Sequence, residues 1–92
     1  MIGTVHCEWI IYDSFSLKDK RSVMKRITAR VRQQYNVAIS ELDFQDSWQR
    51  AKIGIVTISS GKIQAEKELN RVLAFIDSFP EIERTVTVYE WL

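Results

Sequence analysis

The adjacent pair His6-Cys7 holds the side chains best suited to nucleophilic or metal chemistry. Around it Val5, Cys7, Trp9 and Ile11 interleave with Thr4, His6 and Glu8, a period of two that predicts a half-buried strand over residues 2–12. Neighbours in a strand point to opposite faces, so the imidazole and the thiol cannot act on one atom. His6 and Glu8 do share a face and read as a solvated or interface pair. No other histidine or cysteine exists, and no CxxC, HExxH, phosphate-loop or GxGxxG spacing occurs. The chain therefore reads as a non-enzyme with no catalytic residues, no metal site and no cofactor.

The stronger signal is charge. The total of +1 is nearly neutral, but residues 17–32 hold Lys18, Lys20, Arg21, Lys25, Arg26, Arg30 and Arg32 against Asp19 alone. That segment carries +6, which leaves −5 for the other 76 residues. On a helix, at about 100° per residue, Lys18, Arg21, Lys25 and Arg32 fall within about 60° of one another. Arg26 and Arg30 lie on the far side, and Lys20 falls near the apolar stripe. Exposed ion pairs contribute only about 0–1 kcal/mol each, so stability is a weak reason for such a cluster. A polyanion is a sufficient one.

The elements that position these residues follow from pattern. Asp13 to Ser16 end the first strand, and Ser16 with Asp19 approximates a capping box. Leu17, Met24, Ile27, Val31 and Tyr35 then keep helical spacing as far as Asn36. Residues 37–43 predict a second strand, with a bulge where the alternation shifts at Glu41-Leu42. Residues 50–59 predict a central third strand, apolar on both faces over residues 53–58. A second helix starts at Ser60-Gly61, buries Ala65, Leu69, Val72, Leu73, Ile76 and Phe79, and stops at Pro80. Residues 83–92 alternate as a fourth strand.

The order β-α-β-β-α-β over residues 1–92 predicts one domain, an α+β ferredoxin-like sandwich with two helices on one face of a four-stranded antiparallel sheet. Acylphosphatases share that fold, but their glycine-rich anion loop has no counterpart in Asp13 to Ser16. The third strand carries aliphatics where RNA-binding sheets of the RRM type carry stacking aromatics. Contact with the phosphates of structured RNA, ribosomal RNA included, is the mode that remains. No apolar run reaches the ~20 residues needed to cross a bilayer. The chain begins without a signal-peptide pattern and has a single cysteine, so a cytoplasmic protein is expected.

Two further surfaces invite partners. The sheet face away from the helices is expected to expose His6, Glu8, Ile10 and Tyr12 from the first strand with Thr87, Tyr89 and Trp91 from the fourth, a surface suited to a homodimer. Between the second and third strands, Asp46, Trp48 and Gln49 surround a loop tryptophan, more readily a clamp closing the hairpin than a recognition surface. Asp43 and Asp46 are candidates either to tie down this loop or to pair with Arg50.

Two stretches, Ser16-Leu17-Lys18-Asp19-Lys20-Arg21 and Glu41-Leu42-Asp43-Phe44-Gln45-Asp46-Ser47-Trp48-Gln49-Arg50, resemble the signatures of the YlxP-like proteins, small bacterial proteins of unassigned function. The resemblance runs through the helix exit Ser78-Phe79-Pro80-Glu81-Ile82-Glu83. Phe44 stands where that family is expected to hold histidine, so no imidazole role carries over. The resemblance implies a ferredoxin-like cytoplasmic protein. It also implies a gene setting beside transcription-termination, translation-initiation and ribosome-maturation factors, and it supplies no catalytic residues. Its signature marks Lys18, Lys20, Arg21, Asp46, Trp48, Gln49 and Arg50 for mutation.

Taken together, the expected function is that of a non-enzymatic RNA- or ribosome-associated factor. It would bind phosphate through Lys18, Lys20, Arg21, Lys25 and Arg32, assisted by Arg50 and Lys52. The alternative is a regulatory module that dimerises through its open sheet and takes a small ligand in the manner of ACT domains.

Overall fold

A computed structural model describes all 92 residues and contains β1 (Ile2–Ile11), α1 (Leu17–Gln34), β2 (Ala38–Asp43), β3 (Arg50–Ile58), α2 (Lys62–Asp77) and β4 (Ile82–Trp91). The four strands form one antiparallel sheet in the order β2-β3-β1-β4, the ferredoxin-like arrangement expected from the sequence. Both helices cover the same face: α2 lies over β1, β3 and β4, while α1 lies over β2 and against α2. Between the layers sits a single core, with Val5, Cys7, Trp9 and Ile11 from β1, Ala51, Ile53 and Ile55 from β3, and the helical stripes above them.

The helix starts differ in chemistry. Ser16 Oγ accepts from Asp19 N (3.0 Å), as in a capping box, while Asp19 Oδ2 reaches one residue further back and accepts from Phe15 N (3.1 Å). Gly61 begins α2 without any side-chain cap. The bulge expected in β2 is present, as the β2–β3 register shifts between Glu41 and Asp43. A second bulge, between Cys7 and Trp9 against β4, left no mark on the alternation of β1.

That register decides which residues of β4 share a face with which of β1. Trp91 pairs with Gly3, Tyr89 with Val5 and Thr87 with Cys7, all on the helix side. A Cβ on Gly3 would lie 2.7 Å from Trp91 Cζ3, so the indole occupies the space the glycine leaves. Tyr89 donates its hydroxyl hydrogen to Asn70 Oδ1 of α2 (2.6 Å), and Arg84 Nη1 donates to Thr87 Oγ1 (2.8 Å). The expectation that Thr87, Tyr89 and Trp91 face away from the helices is therefore corrected. The cross-strand partners of β1's outward residues are Glu90, opposite Thr4, Val88, opposite His6, and Glu83, opposite Ile10.

Candidate nucleic-acid interface

The helix α1 buries Met24, Ile27, Thr28 and Val31, and with them Lys20, whose exposure is only 1%. Lys20 sits at the fourth helical position, on the arc that meets β2. Its Nζ donates to Phe44 O (2.6 Å) and lies 2.8 Å from Glu41 Oε2, a buried oxygen with no other partner. A buried ammonium has to be matched in this way, because desolvation without a partner costs several kcal/mol. Lys20 is thus a structural tie between α1 and the β2–β3 loop. It is removed from the phosphate-binding set.

The other cations divide by flank. On one side Arg26 pairs with Glu81, and Arg30 stands over the Phe79 ring at 5.8 Å. Hydrogen bonding to the Arg26 guanidinium holds the Glu81 carboxyl below the usual glutamate range. On the other side lie Lys18, Arg21, Lys25 and Arg32, all exposed, and none belongs to any of the five ion pairs of the fold. Arg32 Nη2 donates instead to the backbone oxygen of Ile39 in β2 (2.9 Å), which fixes this flank beside the edge strand. At 1.5 Å per residue the four span about 21 Å. Below them a groove of about 410 Å³ runs between Arg21 and Lys25 on the helix and Gln45 and Asp46 on the loop.

Arg50 and Lys52 do not join this ridge. Both lie on the open sheet face, where Arg50 Nη2 donates to Glu8 Oε1 (2.8 Å) and its guanidinium covers the Phe44 ring at 4.0 Å. Arg50 thus pairs with Glu8, in place of the aspartates suggested by the loop sequence. Asp43 Oδ1 accepts from Phe44 N (2.8 Å). Lys52 lines a shallow hollow of about 170 Å³ with His6, Glu8, Val86 and Val88.

The β2–β3 loop is closed by Lys20, by Ser47 N donating to Phe44 O (2.9 Å), and by Gln49, whose Nε2 donates to Ser14 O (3.1 Å). Trp48 takes no part in the core and is 51% exposed, so the clamp role expected of it belongs to Lys20 and Gln49. Phe44 adopts φ 65°, a left-handed conformation costly for an aromatic residue, and Asp13 in the facing loop adopts φ 56°.

His6 and Cys7 stand on opposite faces of β1 and share no site. His6 is exposed on the open face, whereas Cys7 is buried against the helices. Burial pushes the Cys7 thiol up, opposed by the Trp9 indole N–H and by the charge of Arg84. Three or more His, Cys, Asp or Glu side chains are nowhere gathered as a metal cluster would require. No helix is long and apolar enough to cross a membrane.

A compact ferredoxin-like domain with a cationic helix flank and an ordered aromatic loop is the class these features define. The chain belongs to a family described as a protein of unknown function (DUF503), whose model matches residues 2–88. It is 63% identical over 91 residues to the Uncharacterized protein YlxP of Bacillus subtilis (strain 168), a match covering 99% of each chain. The resemblance drawn from the two signature stretches is thereby confirmed.

Proposed function

We propose that this protein is a non-enzymatic, cytoplasmic RNA- or ribosome-associated factor that grips the phosphate backbone of a structured RNA with Lys18, Arg21, Lys25 and Arg32. The observation that carries the reading is that these four side chains, none with a carboxylate partner, line one flank of a single helix, whereas Arg30, Lys52, Lys62 and Lys67, which also have no ion pair, lie apart from that flank. A straight ridge suits A-form RNA, whose phosphates and 2′-hydroxyls line a wide, shallow minor groove. Four phosphate contacts give a log–log salt slope of roughly −3.6, a loss of about a hundredfold between 50 and 200 mM salt. Co-sedimentation with ribosomal subunits, and titration of ribosomal RNA fragments across that salt range, test it. No interaction at low salt would end the reading.

A second reading rests on the open sheet face, where Val56, Ile58, Val86 and Val88 are all exposed. Such a patch fits a homodimer formed face to face. A monomeric mass at high protein concentration would exclude that arrangement, and a dimer broken by Val88→Lys would support it.

A further inference from the structure

We infer that Phe15 and Trp48 form a stacking platform for an unpaired base. On this view the ligand is an RNA duplex interrupted or ended by unpaired nucleotides, in preference to a fully paired one. This rests on the RNA reading and adds the element of recognition that the phosphate ridge alone lacks.

Phe15 and Trp48 are 68% and 51% exposed, and they lie in two different loops. The loops are joined: Gln49 Nε2 donates to Ser14 O (3.1 Å) and Ile11 N donates to Gln49 O (2.9 Å). Each aromatic is therefore the chain neighbour of a residue in the Ser14–Gln49 bond, so the two exposed rings are carried by adjoining loops. Neither is explained by folding. A hydrophobic residue just before a helix cap ordinarily packs on the fourth helical residue. In α1 that residue is Lys20, which is buried and committed to Phe44 O and Glu41, so Phe15 has no local partner.

The backbone supports the same reading. Asp13 and Phe44 are the only non-glycine residues of the chain with positive φ, and one lies in each of these two loops. Strain of this kind persists where surrounding contacts hold it, and it gathers at binding sites. Here Lys20, Asp43 and Arg50 hold Phe44 from three directions. Ordered in advance, the loop loses little freedom when a ligand arrives. Charge selects the ligand. Lys18 and Arg21 start the free ridge within two turns of Phe15, so a base on the aromatics leaves its own backbone phosphates facing cations.

The test uses the full chain and three RNA probes at low salt: a perfect duplex, the same duplex with a two-nucleotide bulge, and the bulge sequence as a single strand. The bulged duplex should bind at least tenfold tighter than the perfect one. Trp48→Ala should remove roughly tenfold of affinity for the bulged probe, the scale of one base stacked on an aromatic ring, and change the perfect duplex less than twofold. Trp48→Phe should restore most of that loss. Equal effects of Trp48→Ala on both duplexes, or no effect on the bulged one, would overturn the platform and leave the ridge standing. An unmutated protein that binds none of the three overturns both. Trp48 is exposed, so its variants should melt with the parent; a lowered melting temperature would itself contradict the assignment.

Discussion

The two helices do the same structural job on the same sheet face with different chemistry. Over residues 62–77, α2 balances Lys62, Lys67 and Arg71 with Glu66, Glu68 and Asp77, and buries five apolar residues. Over residues 17–34, α1 sets seven cations against Asp19 and buries three apolar residues together with Lys20 and Thr28. Covering a sheet therefore does not require the charge of α1. The difference separates two uses of lysine and arginine within one helix. Lys20 compensates for a thinner apolar stripe by tying α1 to a loop, while the flank beside β2 is left without counter-ions.

The largest effect expected from this contrast is at Lys20. Lys20→Met should cost about 3 kcal/mol in urea unfolding, because it strands Glu41 Oε2 and the Phe44 carbonyl. Lys20→Met combined with Glu41→Leu should recover much of that loss, as apolar replacement of a whole buried pair usually does. A cost below about 1 kcal/mol for the single variant would show that the tie does not support the fold.

Next in size is binding. Reversing Lys18, Arg21 and Lys25 to glutamate should weaken affinity for ribosomal RNA about a hundredfold at 50 mM salt and flatten the salt slope. The matched reversal of Lys62, Lys67 and Arg71 on α2 changes net charge equally and should cost less than about threefold, since general attraction is largely screened. Equal losses would show that only net charge matters and that no ridge exists.

The caps offer a smaller contrast. Ser16→Ala should cost about 1 kcal/mol of stability through the lost bond from Asp19 N. Gly61→Ser should gain a few tenths, since Gly61 has an extended φ of −158° that any residue adopts. Thermal melts of the two variants check both signs.

Much of this architecture was legible in the residues. Hydrophobic period marked all six elements to within a few residues, and the alternation break at Glu41-Leu42 marked the β2 bulge. Lys20 was legible as a cation near the apolar stripe, but its partners lie 21 and 24 positions away and depend on the hairpin turning beneath α1. The face of Thr87, Tyr89 and Trp91 was not legible. A one-residue offset in pairing inverts every side chain of a strand, and the registry against β1 is a long-range outcome. Nor could the sequence show that the loops of Phe15 and Trp48 adjoin, because the bond joining them spans 35 residues.

The finest test compares the two flanks of α1 itself. Arg26 faces Glu81 across an exposed pair, so removing it with Arg26→Gln should cost only a few tenths of a kcal/mol at neutral pH. The sign with pH follows from the carboxyl that Arg26 holds low. A glutamate whose folded pKa lies below its unfolded value stabilises the fold above the unfolded value of about 4.3. That contribution disappears as pH falls through the lower folded value. The stability gap between Arg26→Gln and the parent should therefore be constant from about pH 5 to 7 and close in more acidic solution, as read by urea titrations at several pH values. Binding should follow the opposite logic. Arg26→Glu, on the paired flank, should hardly alter RNA affinity, whereas Arg21→Glu, one residue on the open flank, should lower it severalfold. If the two single reversals weaken binding alike, the helix acts as a uniformly charged rod and the division into a structural and a binding flank is lost.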